Sequence, residues 1–257
     1  MKDQIAEVFY HVNERSKQKI IVDADNIEGN ILFPKLVKSE VEVKDARTIE
    51  NKPTFGNSSI EFFNYETNIS SFEGDSFKKE YNQELKNLLM SKVNAKEVIV
   101  FDHTIREDKS SIRPPARHAH VDYSKKSAEE QIHKYVIESE RNNWLKGHYA
   151  IVNTWRPIKN KVLSAPLGFV LPHTVSNDEL IEIDLVYPER MGEVLGALYN
   201  KNHKWVYLSE MDPSEIVLFS MFDNKGRMPV IHSAFDLEDT KKGTIRKSIE
   251  SRILIRF

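Results

Sequence analysis

The sequence predicts a mostly β protein with flanking helices, organised as a double-stranded β-helix (a cupin-like jelly roll), and three observations carry that prediction. Strand-like runs crowd the second half, only two segments read as good helices, and a metal-ligand pattern is divided between two extended segments far apart in the chain. Short strands at close intervals with turn residues between them suit two packed antiparallel sheets or a barrel.

In the first half, extended readings fall at Lys19 to Val22, Val41 to Val43, Ile60 to Asn64 and Glu97 to Phe101, where β-branched residues dominate. Ser76 to Val93 reads as an amphipathic helix, with Phe77, Tyr81, Leu85, Leu88 and Leu89 at helical spacing. Ser127 opens a second helix through a capping box with Glu130, running to about Trp144. Both helices are expected outside the sheets. The later strands are His148 to Trp155, Leu167 to Leu171, Leu180 to Tyr187, Trp205 to Ser209, Ile216 to Phe222, Val230 to Phe235 and Thr244 to Phe257.

At 257 residues and 40% hydrophobic, the chain suits one domain, 1–257. Within it, 1–95 reads as a β/α portion packed on the barrel and 96–257 as the jelly-roll core. A net charge of −2, from 37 basic and 39 acidic residues, offers no footprint for nucleic acid or an anionic membrane. Cysteine is absent, which excludes disulfides, thiolate metal sites and thiol nucleophiles, so any metal must be held by nitrogen and oxygen. Neither a signal-length apolar stretch at the start nor an apolar run of membrane-spanning length occurs, and a cytoplasmic protein is expected.

His120 and Asp122 form an H-x-D pair, and His232 follows about 110 residues later in the short apolar run Pro229 to Phe235. Residues two apart on an extended strand point to one face, so imidazole and carboxylate can grip one ion. A second imidazole completes a two-His-one-carboxylate set with open positions, the pattern of non-haem iron oxygenases. In a jelly roll the two segments are expected to face one another across the barrel mouth. His118 alternates with His120 and competes as a ligand, but His120 has the H-x-D spacing. His103 suits a supporting or structural role, and His11, His133, His148, His173 and His203 have no partner pattern.

The carboxy-terminal strand has two chemically different faces: Ile245, Ile249, Ile253 and Ile255 on one, Arg246, Ser248, Glu250 and Arg252 on the other. The polar face is either solvated or turned inward, where a guanidinium fork and a hydroxyl can bind a carboxylate. Arg246-Lys247-Ser248 is an R-x-S tripeptide about 14 residues after His232, the offset at which 2-oxoglutarate enzymes often place an arginine for the cosubstrate's distal carboxylate. Arg252 competes for that role.

The stretches Val100 to Arg106, Ala116 to Ser124, Asn153 to Ile158, His232 to Phe235 and Arg246 to Arg252, in this order, resemble the CmcJ-type hydroxylase/desaturase family, which includes gibberellin desaturase-like proteins. The resemblance covers about Val41 to the end. It implies an iron(II)- and 2-oxoglutarate-dependent oxygenase, consuming dioxygen (O2), that hydroxylates or desaturates a small molecule of secondary metabolism. It makes His120, Asp122 and His232 the catalytic iron ligands and Arg246 with Ser248 the cosubstrate clamp. The retained Asp122 argues against halogenation.

Asn153 and Trp155 share a strand face and are candidates for an amide contact and an aromatic wall of a substrate pocket. Arg156 and Arg106 are candidates for binding a substrate or cosubstrate carboxylate, and Tyr123 for the substrate entrance, although alternation turns it from the metal's face. The same ligand set also fits a cupin-type oxygenase or isomerase without 2-oxoglutarate, or a zinc hydrolase, although no H-E-x-x-H helix supplies a base. A ligand-binding jelly roll is the non-enzymatic alternative.

Overall fold

Runs of β-branched and aromatic residues form two large sheets in the computed structural model, which describes residues 3–108, 110, 113–236 and 245–257. The expected strand start at Thr244 lies outside the described residues. In chain order the strands are β1 (Gln4–His11), β2 (Gln18–Val22), β3 (Ile31–Leu32), β4 (Leu36–Asp45), β5 (Ile60–Asn64), β6 (Glu97–Glu107), β7 (His120–Val121), β8 (Tyr149–Pro157), β9 (Leu167–Val170), β10 (Leu180–Val186), β11 (Met191–Ala197), β12 (Trp205–Tyr207), β13 (Glu215–Asp223), β14 (His232–Ala234) and β15 (Lys247–Arg256). The helices are α1 (Phe55–Ser58), α2 (Lys78–Lys92), α3 (Lys125–Tyr135) and α4 (Glu138–Lys146).

One sheet has ten strands in the order β1-β4-β12-β9-β14-β7-β11-β10-β2-β3; the other has five, β5-β13-β8-β15-β6. Apolar side chains fill the space between them, where Phe169 of the larger sheet packs edge-on against Phe219 and Phe62 of the smaller. This is the jelly roll that the strand series predicts. The first 95 residues are woven into both sheets: β4 pairs with β12, β2 with β10 and β5 with β13. The edge strand β1 also bridges at Phe9 to His118 and at His11 to Leu198, so the amino-terminal segment reaches the neighbourhood of the H-x-D pair.

The far face of the smaller sheet packs on α2, whose Tyr81, Leu85, Leu88 and Leu89 join Ile249, Ile253 and Ile255 in a second core. The isoleucine face of the last strand is therefore buried, apart from Ile245, which is exposed. Its polar face points inward: Arg246, Ser248 and Glu250 are all buried.

The second helix departs from its sequence reading. It is capped by Ser124, whose side chain accepts from the Ser127 amide while the Ser127 hydroxyl serves the Ser124 backbone, so Ser127 is inside the helix and not at its start. The helix also ends at Tyr135, because Val136 and Ile137 take extended backbone angles before α4 begins. Ala128 and Ile132 of α3 and Trp144 of α4 are buried in the same large apolar cluster as residues of both sheets. Among the described residues no helix is long and apolar enough to cross a membrane.

Gly196 sits directly opposite His120 in the β11–β7 ladder. A Cβ there would stand 2.4 Å from Ile183 Cδ1 and 2.7 Å from the His11 ring, in a packed interior with no slack. Gly196→Ala is expected to lower stability by about 1–3 kcal/mol, read as a lower urea midpoint with an unchanged slope; an unshifted midpoint would show that the ladder yields easily at this point.

Candidate metal centre

The centre is built where two short strands meet. β7 and β14 are adjacent in the larger sheet and pair through His232↔His120, whose rings lie 4.4 Å apart between centroids. The two segments were expected to face one another across the barrel mouth; they stand side by side instead. The physical reason is reach: cross-strand neighbours bring their Cβ atoms to about 5 Å, whereas facing sheets are about 10 Å apart. Asp122 lies just past the end of β7, with Oδ1 3.4 Å from His120 Nε2 and 3.7 Å from His232 Nε2.

Each imidazole is oriented through its other nitrogen. His120 Nδ1 lies 2.7 Å from the His118 carbonyl and His232 Nδ1 3.3 Å from the Val230 carbonyl, so both Nε2 atoms are left toward Asp122. One ligand atom from each of the three residues lies within 4.8 Å of the others. Metal–ligand bonds of about 2.1 Å place neighbouring donors about 3 Å apart, so shifts below an ångström would close this set on an ion. An all-nitrogen-and-oxygen set suits iron or zinc, and the residues fit such a metal.

Asp122 Oδ2 faces away from the imidazoles and accepts from Asn153 Nδ2 and from Arg252 Nε, each at 2.9 Å. Burial opposes ionisation of Asp122, but the Arg252 charge and the contact with His120 outweigh it and hold the carboxyl well below its usual range. His232 is shifted the other way: burial, then the neighbouring His120, takes its imidazole down to about 3. The carboxylate is therefore charged and the His232 imidazole neutral at ordinary pH, as metal binding requires.

The three residues open onto a cleft also lined by Arg106, Ala116, Leu167, Arg246 and Glu250, about 290 Å3 with its mouth included. Arg246 is buried, its Nε 3.1 Å from Ser248 Oγ, its Nη1 donating to the Ala165 carbonyl and its guanidinium 4.9 Å over the Trp155 ring. Burial, reinforced by Arg106, lowers Arg246 to about 9. Burial also pushes Glu250 up, against the opposing charge of Arg252.

Several candidates are placed differently from their sequence reading. Arg252 is committed to the protein's own side chains: beyond Asp122 it donates to Asp102, Thr104 and Glu250, and it does not line the cleft. Ser248 steers Arg246 from behind. Asn153 spends its amide nitrogen on Asp122, and Trp155 supports Arg246. Arg156 sits on the opposite face of β8 and donates to the Tyr65 and Pro213 carbonyls, outside the barrel, as strand alternation from Asn153 and Trp155 requires. Tyr123 packs edge-on to Phe101, which stacks on Tyr135. Arg106 does line the cleft.

Sequence reasoning gave no role to His11 and Phe33, which surround His118; His11 Nε2 lies 3.2 Å from His118 Nδ1, and the His118 ring stacks on His120. It also left Asp102 and Thr104 without a role. No local signal marks any of the four, because their contacts depend on the register of distant strands. His103 is structural, its nitrogens bonded to Ser251 Oγ and Asn82 Oδ1 between β15 and α2.

Two imidazoles and one carboxylate on the inner wall of a jelly roll are the site architecture of non-haem metal oxidoreductases. The chain belongs to the family described as "YDMC: Oxidoreductase/YMDC permease-like domain", which matches residues 4–256. It is similar to the alpha-ketoglutarate-dependent dioxygenase tstK of Talaromyces stipitatus, 25% identical with 91% of each chain covered. It is also similar to the hydroxylase/desaturase efuI of Hormonema carpetanum, 27% identical over 84% of this chain and 82% of that one. In fold it matches the iron and alpha-ketoglutarate-dependent endoperoxidase NvfI with a TM-score of 0.87 and 21% identity, over 98% of this chain and 97% of that one.

The buried imidazoles of His11 and His103 are each lowered to about 4 from an ordinary 6.5, in both cases chiefly by burial. Between those values the unfolded chain binds more protons than the folded one, so stability is full above about pH 6.5 and falls as the pH drops toward 4. The metal-free protein should show a melting temperature that declines across this window, and His103→Gln should make the decline shallower. An equally steep decline in the variant would remove His103 as a contributor.

Proposed function

We propose that this chain is a single-domain iron(II)- and 2-oxoglutarate-dependent oxygenase that hydroxylates or desaturates a small molecule. His120, Asp122 and His232 are the metal ligands in this reading. The observation that carries it is the juxtaposition of that donor set with two arginines, Arg246 and Arg106, on the wall of the same cleft. The relatives named as alpha-ketoglutarate-dependent dioxygenase and hydroxylase/desaturase support it.

The charges support the cosubstrate. Among the described residues at the centre, the guanidiniums of Arg106, Arg246 and Arg252 are balanced by Asp122, Glu250 and the partly exposed Asp102. A divalent cation added to this balanced set leaves two positive charges to be met. A dicarboxylate such as 2-oxoglutarate carries that charge, and buried charges need such partners.

Bound iron and 2-oxoglutarate, with dioxygen, supply the oxidant that removes hydrogen from a substrate carbon. The chain's own residues bind and orient. Arg246, pre-set by Ser248, the Ala165 carbonyl and the Trp155 ring, presents its fork to the distal carboxylate, and Arg106 adds a second cation beside it. The two histidines and Asp122 hold the metal on a wall of apolar side chains, including Leu167, Phe169 and Phe219, which limit water around it. Tyr123, Phe101 and Tyr135 form an aromatic wall close to the ligand carboxylate that suits contact with an apolar substrate.

Anaerobic protein with Fe(II), titrated with 2-oxoglutarate, should develop a visible metal-to-ligand charge-transfer band. His232→Ala should abolish the band, and Arg246→Ala should weaken 2-oxoglutarate binding about 10–100-fold. Fe(II) binding without a band at any 2-oxoglutarate concentration would overturn the cosubstrate assignment; no metal binding would overturn the whole reading.

A further inference from the structure

Three neighbouring strands of the smaller sheet place a row of polar side chains opposite the metal centre. Arg252 on β15 pairs directly with Asp102 on β6 and with Asn153 on β8. Arg252 and Asn153 both reach across to the same atom, Asp122 Oδ2, at 2.9 Å each. The other tips of the guanidinium are also occupied: Nη1 by Asp102 Oδ2 at 2.6 Å and Thr104 Oγ1 at 2.7 Å, Nη2 by Glu250 Oε1 at 2.6 Å. Four of the five N–H donors of this guanidinium are engaged by the protein, on all three of its nitrogens, which holds the fork in one geometry.

The consequence lies in Asp122. A carboxylate has two oxygens, and a free one can turn or bind a metal through both. Here two donors, one of them charged, occupy Oδ2, while Oδ1 alone faces the two imidazole Nε2 atoms. Resting on the metal-site reading above, we propose that Arg252 is a positioning residue that fixes Asp122 as a single-oxygen ligand and takes no part in holding the cosubstrate. Its hydrogen bonds to Asp102, Thr104 and Glu250 anchor it against the pull of the metal on the carboxylate. The arrangement keeps a coordination position clear that a two-oxygen carboxylate would fill.

Co(II) is the probe, because it is stable in air and its visible bands report coordination number. Wild-type protein, Arg252→Lys and Arg252→Gln are compared for Co(II) affinity, for the intensity of the bound-metal bands, and for 2-oxoglutarate affinity at saturating Co(II). Lysine keeps the charge but lacks the fork, so it remains informative if the glutamine variant fails to fold. The expected result is a loss of Co(II) affinity of about 10–100-fold, altered band intensity as the second oxygen enters, and 2-oxoglutarate affinity close to wild type once metal is saturating. A lysine variant with wild-type affinity and spectrum would overturn the proposal. So would unchanged metal binding with weakened 2-oxoglutarate binding, which would make Arg252 the clamp. Failure of the wild-type protein to bind Co(II) would instead remove the metal-site reading beneath the proposal.

Discussion

The pairing of His120 with His232 across β7 and β14 is the constraint on which the centre depends. Both strands are short, and neither would hold its place alone; they are gripped by β11 on one side and β9 on the other. Gly196 on β11 and Gly168 on β9 both stand where a side chain would collide, with His11 and Ile183 in one case and the Phe235 ring in the other. Small residues at these two points let the neighbouring strands close on the histidine pair. The imidazoles are then fixed by carbonyls of their own segments, two residues upstream in each case. The wall that could hold a metal is thus local backbone geometry repeated on two strands and placed in register by the sheet.

The third residue of the donor set is held differently. Asp122 stands where the larger sheet meets the smaller, and its free oxygen faces one sheet while its other oxygen is bound by the opposite one. Anything that shifts the two sheets relative to one another would therefore alter the carboxylate before it altered the histidines. Burying Asp122, Glu250 and three guanidiniums carries a desolvation cost that an apolar core of equal volume would avoid. That cost is consistent with a site kept for chemistry and not for stability. It is reduced by pairing: Asp122 and Glu250 both reach Arg252.

Periodicity and spacing were enough to read the jelly roll, the H-x-D…H donor set and the two unlike faces of the last strand, though not which way its polar face turns. Each depends on side-chain alternation within one segment, which a sequence displays directly. Contacts that depend on register between distant strands were not legible. Nothing near residue 252 says that Asp102 and Asn153 will be its lateral neighbours, or that Asp122 will face it from the other sheet. β1 and β11 were missed for a related reason: Glu7 breaks the apolar run of one, and Gly192 and Gly196 depress the strand signal of the other. The outward position of Arg156 was available from alternation with Asn153 and Trp155. The Ser124 cap was hidden by Ser127 and Glu130, whose spacing imitates a cap one turn later.

Arg246, just before β15, and Arg252, on it, both turn inward, yet their surroundings differ. Arg252 meets three carboxylates, so its charge is consumed within the protein and its pKa is held well above the ordinary range against the effect of burial. Arg246 contacts a hydroxyl, a carbonyl and an aromatic face, and burial together with nearby Arg106 lowers its pKa against the opposing charges of Glu250 and Asp108. A buried cation whose direct partners are neutral gains from an anion brought in from outside. In the proposed reading the same residue type, six positions apart, is spent in one case on the geometry of the metal ligand and kept in the other for a bound carboxylate. Composition alone could not separate them; the partners across the register do.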